Sequence, residues 1–215
     1  MDMIVDERLT TYIHSLEKDL SPFFEELREF ANKENVPIIR RETESFLRAL
    51  LKVSVAQKEV FNILEIGTAI GYSALVMNDE VPSAKIDTIE NYEPRLIQAR
   101  KNLAGHDNIN LYEGDAQNII KKLDGLYDFI FLDAAKAQYI IMLPDLIKLM
   151  KNGAVLVADN VLQEGDLIES RFATQRRQRT IHERMRQFLY EIKHRDDIES
   201  CILTVGDGIS VSIKK

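Results

Sequence analysis

VFNILEIGTAIGYS, residues Val60 to Ser73, passes from a short apolar run into a glycine-rich turn with helix-compatible residues beyond it. A run of that length, rich in β-branched side chains and closed by glycine, predicts a strand buried on both faces. Four further runs repeat the pattern downstream: AKIDTIE at 84–90, INLYEG at 109–114, YDFIFLDA at 127–134 and AVLVADN at 154–160. Helical stretches separate them. The chain from residue 58 onward therefore predicts βαβ units, an α/β fold with a mostly parallel sheet and helices on both faces. The last segment, SCILTVGDGISVSIKK at 200–215, differs, because its two alternating runs flank Gly206-Asp207-Gly208 and leave no room for a crossover helix. It predicts an antiparallel hairpin closing one edge of the sheet.

Residues 1–57 predict a helical lead-in. Leu9, Tyr12, Ile13 and Leu16 recur at helical spacing, and Ser21-Pro22 has the form of an N-cap followed by a proline at the first helical position. Phe23, Phe24, Leu27 and Phe30 continue that second helix. After Pro37 a third helix starts near Thr43 and carries Phe46, Leu47, Leu50 and Leu51. No repeat, low-complexity stretch or linker divides the chain, so all 215 residues, 45% of them apolar, form a single domain: lead-in 1–57 and core 58–215.

Acidic residues outnumber basic ones 35 to 28, for a net charge of -7, so any contact with an anionic polymer must use a local patch. The single cysteine, Cys201, excludes an internal disulfide framework and a multi-cysteine zinc site. The N-terminal stretch has no basic segment followed by an apolar one, and no apolar run approaches the roughly 20 residues of a membrane span. The expectation is a cytoplasmic protein with no membrane partner.

Glu65, Gly67 and Gly71 form E-x-G-x-x-x-G after the first strand, where glycine lets backbone pass close to a ligand. A dinucleotide fingerprint would read G-x-G-x-x-G, so the pattern argues against NAD. Glu90, ending the second strand, is placed to accept hydrogen bonds from ribose hydroxyls, and Gly114-Asp115-Ala116, after the third, to meet an adenine. Glu65 ends an otherwise apolar strand, where a carboxylate is costly unless paired, and a ligand ammonium would pair it. Strands four and five end in Asp133 and in Asp159-Asn160; three hard oxygen donors at one sheet edge suit Mg²⁺. Taken singly, each of them is more simply a helix cap. Lys136 falls three residues past Asp133, and an amine beside a divalent cation is a candidate general base.

Together these segments resemble the class I S-adenosylmethionine-dependent methyltransferases, and within them the metal-dependent catechol-type O-methyltransferases. LEIGTAIGYSA matches that family's cofactor motif, TIE its ribose acid, FLDAAKAQY its metal-plus-lysine motif and ADNV its second metal motif. The resemblance implies a Rossmann-like, seven-stranded sheet with an antiparallel last strand. It implies S-adenosyl-L-methionine bound by Ile39, Glu65, Gly67, Ser73, Glu90, Asp115, Ala116 and Asp133. It further implies Mg²⁺ or Mn²⁺ on Asp133, Asp159 and Asn160, Lys136 as the base, Tyr139 near substrate or a second subunit, and a homodimer.

Between the fifth strand and the hairpin, Arg171, Arg176, Arg177, Arg179, Arg184 and Arg186 face only Glu183, a local excess of positive charge on an acidic chain. Arginine forks suit phosphates and base stacking, and with Arg40 and Arg41 they predict an RNA-binding rim. AKAQY, ADNVLQ and RRQRTIHERMRQF resemble the branch of the family that methylates 5-hydroxyuridine at the wobble position of the tRNA anticodon, although the acids of Glu164-Gly165-Asp166 depart from it. The partner implied is a tRNA anticodon stem-loop. Two alternatives stay open: a small-molecule catechol-type O-methyltransferase, and a cofactor-binding protein that docks a partner through its arginines without catalysis.

Overall fold

The computed structural model describes residues 5–56, 58–169 and 178–215, and all of these except the side chain of Glu164. Three helices lead in: α1 (Glu7–Leu16), α2 (Pro22–Lys33) and α3 (Arg41–Val55). Ser21 occupies the N-cap of α2 with Pro22 first in the helix, as predicted. The third helix starts two residues before Thr43. Arg40 is its N-cap, and Glu42 and Glu44 lie in its first turn, where negative charge offsets the helix dipole.

The core then runs β1 (Asn62–Ile66), α4 (Tyr72–Glu80), β2 (Lys85–Glu90), α5 (Glu93–Asn102), β3 (Ile109–Glu113), α6 (Ala116–Ile120), β4 (Tyr127–Leu132), α7 (Tyr139–Leu149), β5 (Met150–Ala158), α8 (Arg179–His194), β6 (Ile198–Leu203) and β7 (Ile209–Lys214). The seven strands form one sheet in the order β3-β2-β1-β4-β5-β7-β6. β1 to β5 are parallel, and β7 runs antiparallel between β5 and β6. This is the Rossmann-like sheet with its terminal hairpin at one edge. Among the described residues no helix is long and apolar enough to cross a membrane.

The central strands read as continuous apolar runs because both faces are covered. Ile63, Phe129, Phe131, Val155 and Val157 pack with α2, α3 and α4 on one side. Their neighbours Leu64, Ile66, Ile130, Leu132 and Leu156 pack with α7 and α8 on the other. The chain order reverses between β1 and β4, and at that switch point the carboxyl ends of the strands diverge into a crevice. At the opposite end, the Asp128 carboxylate accepts from Lys58 Nζ, Lys151 Nζ and the Asn62 amide at 3.1, 2.7 and 3.0 Å, tying together the starts of β1, β4 and β5.

Candidate active site

The crevice holds a cavity of about 640 Å³, and Ile39, Arg40, Gly67, Glu90, Asp115, Ala116, Asp133, Lys136, Asp159 and Asn160 all line it. The sheet ladder explains this convergence. Asp133 follows β4 and donates its amide to the Ile66 carbonyl at 2.9 Å, while Asp159 follows β5 and donates to Leu132 at 3.0 Å. Two carboxylates are thereby set side by side at the ends of adjacent strands. Asp159 is buried and Asp133 half-buried. Burial, then the charge of Asp133, pushes the Asp159 carboxyl up to about 7. Burial also raises Asp133, against the opposing charges of Lys136 and Arg95. Among the described residues neither carboxylate forms an ion pair; the one side-chain hydrogen bond is from the Asn160 amide to Asp159 Oδ1, at 2.7 Å.

This donor set fits a divalent cation, since two adjacent carboxylates and an amide carbonyl provide the charge and hard oxygens it requires. Among the described residues no group of three or more His, Cys, Asp and Glu side chains could hold a metal. A cation held here would depend on Asn160 as third donor. Asn160 adopts a positive φ of 54°, and the chain after it is held by the hairpin: Val161 and Leu162 donate to the carbonyls of Gly208 and Asp207.

Elsewhere on the cavity wall, Glu90 accepts from the amides of Ala69, Asn91 and Tyr92, each at 2.9 Å, so the surrounding backbone fixes its orientation. Asp115 is both a cavity residue and the N-cap of α6, accepting from Asn118 at 3.1 Å. Glu65 and Ser73 lie behind the cavity wall rather than in it. Glu65 is fully buried and accepts from Thr88 at Oε2, while Oε1 has no hydrogen-bond partner within reach among the described residues; burial raises its carboxyl to about 7, opposed by the nearby hydroxyls of Ser73 and Thr88. An unsatisfied buried carboxylate oxygen is the feature a ligand ammonium would complete.

Other residues singled out in the sequence have protein partners of their own. Tyr139 is fully buried and shares its hydroxyl proton between the carbonyls of Leu132 and Asp159, 3.1 Å each, so it pins the ends of β4 and β5 and presents no surface of its own in this chain. Arg41 lies 3.5 Å from Glu25 and does not line the cavity. Arg184 and Arg186 reach the carbonyls of Ala137 and Leu167, each 3.2 Å away; Arg184 is half-buried and Arg186 stays exposed. Arg171, Arg176 and Arg177 lie outside the described residues; Arg179 opens α8.

Sequence reading missed Arg95, which lines the cavity and stacks over Tyr92 at 5.5 Å; its place three residues after Tyr92 at the start of α5 was the available signal. It also missed Asp207, whose charge adds to the upward pressure on Asp159. Only the folded hairpin brings those two together.

Comparison with known proteins gives a consistent result. The family model for O-methyltransferases matches residues 14–215. Caffeoyl-CoA O-methyltransferase 1 of Eucalyptus globulus is 34% identical over 221 residues, covering 93% of this chain and 86% of the plant enzyme. A Staphylococcus aureus protein provisionally named a caffeoyl-CoA O-methyltransferase superimposes with a TM-score of 0.84 at 30% identity, over 97% of this chain and 98% of that one. The methyltransferase PaMTH1 of Podospora anserina, solved with S-adenosylhomocysteine bound, shares the fold with a TM-score of 0.84 at 23% identity, over 97% and 94% of the two chains.

Proposed function

Because the chain belongs to the O-methyltransferase family, we propose that it transfers a methyl group from S-adenosylmethionine, with a divalent cation, to 5-hydroxyuridine at the wobble position of a tRNA anticodon, yielding 5-methoxyuridine. The observation that carries the catalytic half is the meeting of Asp133, Asp159, Asn160 and Lys136 in the cavity that Glu90 and Asp115 also line. When bound, the cofactor supplies an electrophilic methyl, and the cation acidifies a hydroxyl it coordinates. Glu90, Asp115 and Ala116 would orient the nucleoside half of the cofactor, with Ile39 and Gly67 on the cavity wall, and Glu65 and Ser73 behind it, at its methionine half. Asp133, Asp159 and Asn160 would hold Mg²⁺ or Mn²⁺, and with it an acceptor bearing two adjacent oxygens. Lys136 Nζ takes the acceptor's hydroxyl proton. Its turn is braced by Arg184 on Ala137, so the base acts from a fixed position.

The RNA acceptor is supported by the arginine-rich sequence at 171–179, by Arg40 on the cavity wall, and by Arg179 opening a helix whose first turn contains no acid, so that side-chain and dipole charge share one sign. A small catechol is the second reading, and the names of the relatives favour it.

The deciding experiment offers labelled S-adenosylmethionine and Mg²⁺ with tRNA containing 5-hydroxyuridine and, in parallel, with a simple catechol. The expected product is 5-methoxyuridine, lost in excess chelator and in Asp133→Ala and Asp159→Ala. Label in the catechol alone would transfer the assignment to the second reading, and full activity in chelator would remove the cation. We also propose a cytoplasmic homodimer formed through the exposed face of α1, Leu9, Tyr12, Ile13 and Leu16; light scattering that returns the monomer mass of 24.7 kDa would exclude it.

A further inference from the structure

We infer that Glu44 positions the cofactor cavity by coupling two of its walls: the strap Pro37–Arg40 and the glycine-rich turn that opens α4. The inference rests on the cavity being the cofactor site, so its test is read in cofactor affinity without any acceptor. Glu44 is 3% exposed, yet three groups from three helices converge on it. Arg28 Nη2 of α2 reaches Oε2 at 2.6 Å, Arg48 Nε of α3 reaches Oε1 at 3.1 Å, and the Tyr72 hydroxyl donates to Oε2 at 2.7 Å.

Two of these groups lead directly to the cavity. The other arm of Arg28, Nη1, donates to the Ile39 carbonyl at 3.3 Å, and Pro37, Ile38, Ile39 and Arg40 form one stretch of cavity wall. Tyr72 is the first residue of α4, directly after Gly71, which holds a left-handed φ of 88° at the end of the glycine-rich turn. The Arg28 guanidinium also lies 4.8 Å over the Tyr72 ring, so strap, hub and turn form one contact unit. Glu44 donates its own amide to the Arg40 carbonyl at 2.9 Å, fixing where the strap enters α3. The strap has no strand partners of its own. Ile39 anchors the strap in the core, and the hub adds the polar tie that sets it against the glycine-rich turn; losing that tie would loosen the preorganised cavity.

The test compares wild type with Tyr72→Phe, Arg28→Lys and the double variant in the full chain, titrating S-adenosylhomocysteine by calorimetry and recording circular dichroism and urea unfolding on the same samples. Tyr72→Phe removes one hydroxyl, while Arg28→Lys keeps the charge but cannot span Glu44 and Ile39 together. Each single variant should weaken binding about three- to tenfold, the net worth of an ordinary hydrogen bond, because the bond acts on the cavity wall and not on the ligand itself. The double variant should lose less than the product, because both act through one carboxylate. In turnover the effect should fall on the cofactor KM, with kcat within about twofold of wild type. Lowered urea midpoints with unchanged affinity in the folded protein would overturn the inference and leave Glu44 a stability element. Wild-type protein that binds no S-adenosylhomocysteine would overturn the cofactor reading, and this inference with it.

Discussion

At Gly67 the missing side chain answers to the protein itself: a Cβ there would stand 1.9 Å from the Asp133 carbonyl oxygen, with φ at +107°. The glycine is what lets the end of β1 lie against the residue proposed to hold the cation, and close approach to a ligand is secondary. Glu65, two residues earlier, gives this scale its pH signature. Burial raises its carboxyl from 4.5 to about 7, so between those values the folded chain retains a proton that the unfolded chain has released. Its contribution to stability is therefore full below about pH 4.5 and falls as pH rises towards 7, by about 3 kcal/mol at most for a fully buried group. Urea unfolding of wild type and Glu65→Gln at pH 5 and 7.5 isolates this component. The variant should lose less stability across the interval, and parallel behaviour would show that Glu65 does not titrate there.

At the scale of elements, strands were far more legible than the supports of the site. Each strand was readable because two covered faces force an unbroken apolar run, and the hairpin because Gly206-Asp207-Gly208 leaves no crossover. Asp133, Asp159 and Asn160 were legible as polar residues ending such runs. Tyr139 was not, because burial of a hydroxyl depends on two carbonyls distant in the chain, Leu132 at the end of β4 and Asp159 just past β5, that no local pattern reports. The contact of Arg184 was hidden for the same reason: its charge suggests a solvated or RNA-facing role, and only the fold brings it onto Ala137 beside the lysine turn. Arg184→Ala should lower kcat about tenfold by loosening the placement of Lys136, with little change in cofactor affinity. Lys at this position should recover part of the loss by reaching the same carbonyl. Equal RNA-affinity losses with unchanged kcat would return Arg184 to the RNA rim.

Over the whole molecule, charge decides how an RNA acceptor must behave. A chain of net charge -7 repels a polyanion at long range, while a cluster of arginines attracts it at contact. Salt acts on the two in opposite senses, screening the repulsion and weakening the phosphate contacts through counterion release. With the arginines present, the contact term dominates: the KM for tRNA should rise steeply between about 50 and 200 mM salt, a range over which several phosphate contacts change affinity by orders of magnitude. Replacing Arg176, Arg177 and Arg179 together removes about three such contacts and leaves the repulsion of the acidic body, so the slope should flatten and approach the opposite sign. A neutral catechol should show no comparable slope in either protein. Steady-state kinetics in a salt series on both acceptors measures this directly. An unchanged tRNA slope in the triple variant would mean that the arginines serve the protein's own surface and that the RNA is held elsewhere.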